Sequence, residues 1–477
     1  MQEGHLVLQS LARVYEATFG EMPSSALQSH GGVGLGVAVT AVAGVVVVAA
    51  VGGLIYYNEG KLPFELSFSS RRSHSPLNEQ KWVAFFDHDQ GRLLDGGDQV
   101  IYKVRGGGID PNIRAQVWPF LLGVYELGSS LDERDAEKAT KLEEYEELRA
   151  QCVNVVKSLN RESEGGDEAK DEGAEESVVD GGGGEQADDK KKGSSEGAGK
   201  SVGKRPREEE DFQTWQRIIR LDAVRMNAEW IPYAETQAHV TFEEAARLSK
   251  VAGLQDDEHL EPPRRHHAAR LVLILEAYTI YDPKTGYCQG MSDLLSPFVA
   301  LIDDDYEAFW CFVRFMKVAR HNFRLDEVGI RRQLNLVSAI IKAADPLLFQ
   351  HLTSLGCEDC TFIYRMVVVL MRRELSFEHT LCLWEVMWAD WAAIGTMKGG
   401  PDGRKRDRLG PPSRDLLLYV IAAAVRNKRT KILQSSGMDE LVRECNDMAG
   451  KLEIWKLLAD ARELVRLVQH KVTESVQ

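Results

Sequence analysis

Residues 362–390 read FIYRMVVVLMRRELSFEHTLCLWEVMWAD. Taken alone, residues 367–371 form a short apolar run that fits a buried strand. Tyr364 and Leu375 extend the apolar positions at spacings of three and four, which selects a buried helix instead. The same period governs residues 212–471, where alternating, strand-like runs are nearly absent. Gly286, the Gly399-Gly400 pair and Gly410-Pro411-Pro412 punctuate that stretch. An all-α fold class follows.

The bulk numbers set wide bounds. A chain of 477 residues suits two or three domains, or one large domain with appendages. Its 44% hydrophobic content suffices for a sizeable core, and its formal net charge of −15 argues against nucleic-acid binding. The seven cysteines are odd in number and scattered. Reduced thiols in a cytoplasmic setting fit them better than a disulfide framework.

Composition divides the chain. Residues 1–75 form a leader. Within it, residues 31–57 (GGVGLGVAVTAVAGVVVVAAVGGLIYY) carry no charge. That run reads either as a membrane span, for which about 20 apolar residues suffice, or as a Gly/Val-rich low-complexity leader. Lys61, Arg71 and Arg72 follow it, so a span would leave the rest of the chain in the cytosol. Residues 76–159 begin a folded domain. Trp82, Phe85 and Phe86 are spaced for one helix face. Pro111 after Asp110 marks a helix start with Asp110 as N-cap. Ile113, Val117, Phe120 and Leu121 then recur at helical spacing, and 135–158 continue as a charged helix. Residues 160–211 read as a disordered acidic insertion, since 161–211 hold 17 acidic and 9 basic residues. Residues 212–471 complete the domain.

Three short patterns carry polar residues at suggestive spacing. In IIRLDAVRMN, Ile219, Asp222 and Arg225 stand three apart, so Asp222 reaches Arg225 along one helix face. By itself this is a solvated helix with a surface ion pair. In TGYCQGM, Gly286 and Gly290 bracket Tyr287, Cys288 and Gln289, which lets the backbone turn sharply and present Gln289 outward. By itself this is a plain turn leading into a helix. Arg114 and Trp118, at i and i+4, read as a structural stack of guanidinium on indole.

In this order the three patterns resemble the TBC-domain family of Rab GTPase-activating proteins. The family pattern has R-x-x-x-W, then I-x-x-D-x-x-R, then Y-x-Q. These are Arg114/Trp118, Ile219/Asp222/Arg225 and Tyr287/Gln289 here. The block GYCQGMSDLLSP is similar to the family too, as are Arg372-Arg373-Glu374, Phe377 and Leu383-Trp384-Glu385. The resemblance covers residues 80–470, and the acidic insertion between the first two patterns is its one departure; it resembles insertions of some plant members.

The resemblance implies a multi-helix TBC domain acting on a Rab-type small GTPase in its GTP form, in vesicle trafficking. Arg225 would be the arginine finger and Gln289 would hold the attacking water. Asp222 would orient the finger, Tyr287 would buttress the loop, with Ile219 in support, and Arg114 and Trp118 would be structural. Such a protein is an activator, not an enzyme. It needs no cofactor or metal of its own, because GTP and Mg²⁺ come with the partner. Its place would be cytoplasmic, attached to an endomembrane if 31–57 is an anchor. Two other readings stay open: a scaffold that binds a Rab without accelerating it, and a membrane tether with a purely structural helical part.

Other signals fall away. GSSEGAGKS at 193–201 has Ser194 where a phosphate-binding loop needs glycine. Cys357 and Cys360 form a lone CxxC with no second pair, and read as two unrelated helix cysteines. His266-His267 has no carboxylate set for a metal. Lys204-Arg205-Pro206-Arg207 lies among acidic residues and reads as a solvated charge run.

Overall fold

A computed structural model describes residues 75–165, 207–257, 259–324, 327–396 and 410–476. The apolar run 31–57 and most of the acidic insertion lie outside them. Among the described residues there is no strand, only two isolated bridges, Leu77 with Ile109 and Phe86 with Leu93. Nor is any described helix long and apolar enough to cross a membrane.

Before the insertion come α1 (Glu79–Ala84), α2 (Asp98–Gly107), α3 (Arg114–Leu122) and α4 (Leu131–Gly165). After it come α5 (Arg207–Val224), α6 (Glu235–Ala238), α7 (Phe242–Val251), α8 (Pro262–Tyr281), α9 (Met291–Leu301) and α10 (Asp305–Ala319). The C-terminal part holds α11 (Val328–Ala344), α12 (Pro346–Ser354), α13 (Tyr364–Val368), α14 (Phe377–Thr396), α15 (Leu416–Asn427), α16 (Arg429–Ile432), α17 (Met438–Asn446) and α18 (Ile454–Val476). Local chemistry sets several starts. Asn78, Thr241 and Asp345 cap α1, α7 and α12 by accepting from the backbone N–H three residues on.

α8 is the centre of the first part, packed by α4, α5, α7, α9 and α10. From 265 to 279 every residue except His266 is buried. A helix buried on all sides must satisfy its polar side chains internally. Arg270 does so with the carbonyls of Val299, Ile302 and Asp303 at 2.8–2.9 Å and with Asp305 at 2.6 Å. Glu276 accepts from Gln216 at 2.7 Å and Arg149 at 3.2 Å. His267 stacks on Trp230 with ring centres 3.9 Å apart, and its ring nitrogens meet Gln237 and Ser296. It is a core histidine.

The second centre is α14, which joins the first helices of the chain to the last. Its Glu385 is fully buried and accepts from Arg114 Nε at 2.7 Å, Trp118 Nε1 at 3.1 Å and the Ile109 N–H at 3.2 Å. The other face of the Arg114 fork donates twice to Glu378, both at 2.7 Å. One turn beyond, buried Asp390 accepts from Arg105 on α2 at 2.7 Å, from the Ser413 N–H at 2.8 Å and from Arg462 on α18 at 2.6 Å.

Several expectations need correction. Helix continues to Gly165 and resumes at Arg207, so both ends of the 160–211 insertion are helical. α1 stops at Ala84, which puts Phe85 and Phe86 past its end; Phe86 packs edge-on against Trp82 across the turn. Residues 367–371 are helical only to Val368. Leu370 and Met371 then turn through positive φ of 49° and 61°. Cys357 and Cys360 lie in the connection after α12, not on helices, and both are buried. Asp110 does cap the turn at Pro111–Ile113, accepting from the Asn112 N–H at 3.2 Å.

Removing Arg114 takes the shared cation away from two carboxylates, one of them fully buried. Arg114→Ala is expected to cost about 3–5 kcal/mol in urea unfolding monitored by circular dichroism. A midpoint equal to wild type would contradict the role assigned to this cluster.

Candidate functional site

The site is built from the end of α5 and the connection between α8 and α9. On α5, Trp215, Ile219 and Asp222 share one face at helical spacing. Ile219 is fully buried and Asp222 is buried. The helix ends at Val224, and Arg225 is the first residue beyond it. Arg225 is exposed, and among the described residues its guanidinium makes no hydrogen bond.

The connection is shaped by Asp282 and two glycines. Asp282 accepts from the Thr285 hydroxyl at 2.8 Å and its carbonyl accepts from the Gly286 N–H at 2.9 Å. Gly286 has φ +58°, and a Cβ there would lie 2.2 Å from the Trp215 indole. The loop thus lies directly on α5, at a spacing only glycine permits. Gly290, at φ +100°, turns the chain into α9. Between them Tyr287 points inward and is buried, while Gln289 is half-buried with no hydrogen bond to its amide among the described residues.

Tyr287 connects the two elements. Its hydroxyl donates to Asp222 Oδ2 at 2.7 Å. Burial pushes the Asp222 carboxyl up to about 6, with the Asp293 charge adding to the rise. The Tyr287 hydrogen bond and the charges of Arg225 and Arg373 pull the other way. Burial, and then the Asp222 charge, hold the Tyr287 phenol far above its ordinary range, so it stays a donor. Cys288 fastens the other side of the loop by donating to the Phe323 carbonyl at 3.3 Å. The result is one base carrying two polar side chains that make no hydrogen bond among the described residues, a cation at 225 and an amide at 289.

The structure therefore joins Ile219, Asp222, Arg225, Tyr287 and Gln289 in one site. Arg114 and Trp118 lie elsewhere, in the Glu385 cluster. Their expected stack is replaced by a shared carboxylate, because a buried guanidinium gains more from an anion than from a ring face. Two neighbours had no role in the sequence reading. Asp293 and Arg373 form an ion pair at 2.7 Å, and both act on Asp222. Burial opposes the Arg373 charge, but Asp293 more than offsets it and raises its pKa. Trp215 was a third omission, legible in hindsight from its spacing to Ile219. Among the described residues no cluster of side chains is suited to hold a metal.

The chain belongs to the Rab-GTPase-TBC domain family. Residues 260–397 match the family's model, a stretch that holds the glutamine loop and Arg373 but not Arg225. Among its relatives is Rab GTPase-activating protein 22 of Arabidopsis thaliana, 46% identical over an alignment spanning 86% of this chain and 85% of that protein. GTPase-activating protein GYP7 of Saccharomyces cerevisiae is 26% identical, over 82% of this chain and 45% of that longer protein. The solved Ypt/Rab-GAP domain of Gyp1p aligns with 83% of this chain and 98% of its own, at 15% identity and a TM-score of 0.49.

Tyr287→Phe removes the donor and leaves a buried carboxylate short of a partner. The variant is expected to lose about 1–3 kcal/mol of stability by chemical denaturation. An unchanged unfolding midpoint would mean that the hydroxyl does not clamp the site.

Proposed function

We propose that this protein accelerates GTP hydrolysis by a Rab-type small GTPase, by placing Arg225 and Gln289 in the partner's nucleotide site. The Tyr287–Asp222 hydrogen bond carries this reading. It fixes the backbone that bears Arg225 to the backbone that bears Gln289, and among the described residues neither side chain makes a hydrogen bond.

The chemistry suits the pair. Negative charge spreads over the transferring phosphoryl oxygens in the transition state, and an arginine supplied in trans stabilises it. A guanidinium stays charged and bonds two oxygens at once. An amide both donates and accepts, so Gln289 can hold a water in line for attack. Asp222 orients Arg225, and the Arg373 charge favours the ionised form of Asp222. The protein lends groups and transforms no substrate of its own. GTP and its Mg²⁺ arrive with the partner. In this reading the protein acts in membrane traffic from the cytoplasm, with 31–57 as its attachment to an endomembrane.

Single-turnover hydrolysis with a panel of GTP-loaded Rabs tests the proposal. On the responsive Rab, Arg225→Ala is expected to slow the stimulated rate by roughly 10³–10⁵. Arg225→Lys should also be badly impaired, since an ammonium cannot bond bidentately. If Arg225→Ala matched wild type on every Rab, the protein would be a Rab-binding scaffold instead.

The Asp222 carboxyl adds a pH signature. Its folded pKa of about 6 keeps it charged at neutral pH and neutralises it below that value. Stimulated hydrolysis should therefore decline as pH falls through about 6, as the charge facing Arg225 is lost. Asp222→Asn should be slower at pH 7.5 and should lack that decline. A parallel decline in the Asn variant would place the titrating group elsewhere, including on the GTPase.

A further inference from the structure

The C-terminal part contains a second feature, lined by none of the residues of the Arg225 site. A cavity of about 480 Å³ opens between α10, α11, α14 and α15. This size falls within the range of roughly 300–1,000 Å³ typical of sites for small organic ligands. Its floor is apolar: Leu336, Leu370, Met387, Leu417 and Leu418 are all buried. Trp391 forms one wall.

Its rim is cationic. Arg324, Arg332 and Arg414 line the opening and are exposed. One carboxylate, Asp415, stands among them. Two apolar side chains at the same opening, Val318 and Val328, are 48% and 66% exposed. Leaving Arg324 aside, Arg332 and Arg414 outnumber Asp415, and the lining residues carry an excess of positive charge. A guanidinium fork matches phosphate oxygens in pairs. The buried leucines below offer no hydrogen-bond partner and suit hydrocarbon.

We propose that this cavity binds a small anionic amphiphile, a short alkyl or acyl chain bearing a phosphate head. The chain occupies the leucine-lined floor and the head meets Arg332 and Arg414 at the rim. Neither residue belongs to the Arg225 site, so the inference does not rest on the activity proposed above.

Isothermal titration of the full-length chain tests it, with dodecyl phosphate below its micelle concentration as the probe. Saturable binding is expected. Dodecyl maltoside, with the same chain and a neutral head, should bind at least tenfold more weakly. Inorganic phosphate, the head without the chain, should do likewise. Arg332→Glu/Arg414→Glu should weaken dodecyl phosphate binding at least tenfold. Both positions are exposed, and thermal melting will check that the double variant is folded. Arg443→Glu/Lys451→Glu makes the same change in net charge on another surface and should leave binding unaltered. The proposal is overturned if dodecyl phosphate does not bind saturably. It is equally overturned if maltoside or inorganic phosphate binds as tightly, or if the two double variants weaken binding alike.

Discussion

Tyr287 spends its one polar atom on Asp222, 65 residues earlier in the chain, and both groups are buried while they do so. A phenol and a carboxylate taken out of water must find each other or lose the free energy of their hydration. That requirement pulls the α8–α9 connection down onto the end of α5. Gly286 allows the approach, since a side chain there would overlap Trp215. Arg225, three residues after Asp222, and Gln289, two after Tyr287, are thereby borne on backbones that one hydrogen bond joins. The residues that make this join stay buried beneath the site.

The same principle holds the rest of the molecule. Several of the buried charges among the described residues are held by ions or polar groups of the protein itself. Arg114 serves Glu378 and Glu385, Arg105 and Arg462 share Asp390, and Arg270 is enclosed by three carbonyls and Asp305. Each group joins distant parts of the sequence: residue 114 to 385, 105 to 390, 390 to 462. A buried ion pair of good geometry adds little net stability over an apolar pair of the same shape, but breaking one is costly. The clusters also make the segments on either side of the acidic insertion one structure, because α14 supplies the carboxylates that Arg105 on α2 and Arg114 on α3 require.

Much of this was legible in the linear sequence, for identifiable reasons. Helical content follows from a local period, so spacing of three and four revealed it without knowledge of the partners. Asp110 could be read as a cap because an N-cap is decided within a few residues. Local signals misled in two places. Helix persists to Gly165 and from Arg207 in stretches whose composition argued against order. At Leu370 and Met371 the chain leaves the helical region although every residue there is apolar, and the buried Trp384 indole donates to the Leu370 carbonyl that the turn exposes.

The sequence by itself determined the helical class and the family pattern, because each rests on spacing within short windows, and the resemblance drew attention to Arg225 and Gln289. Only the tertiary structure decided that Tyr287 meets Asp222, that Asp293 and Arg373 stand behind them, and that Arg114 and Trp118 share a carboxylate instead of stacking. Those pairings depend on where separate helices cross in three dimensions, and a crossing is fixed by the burial of whole faces, which no single window contains.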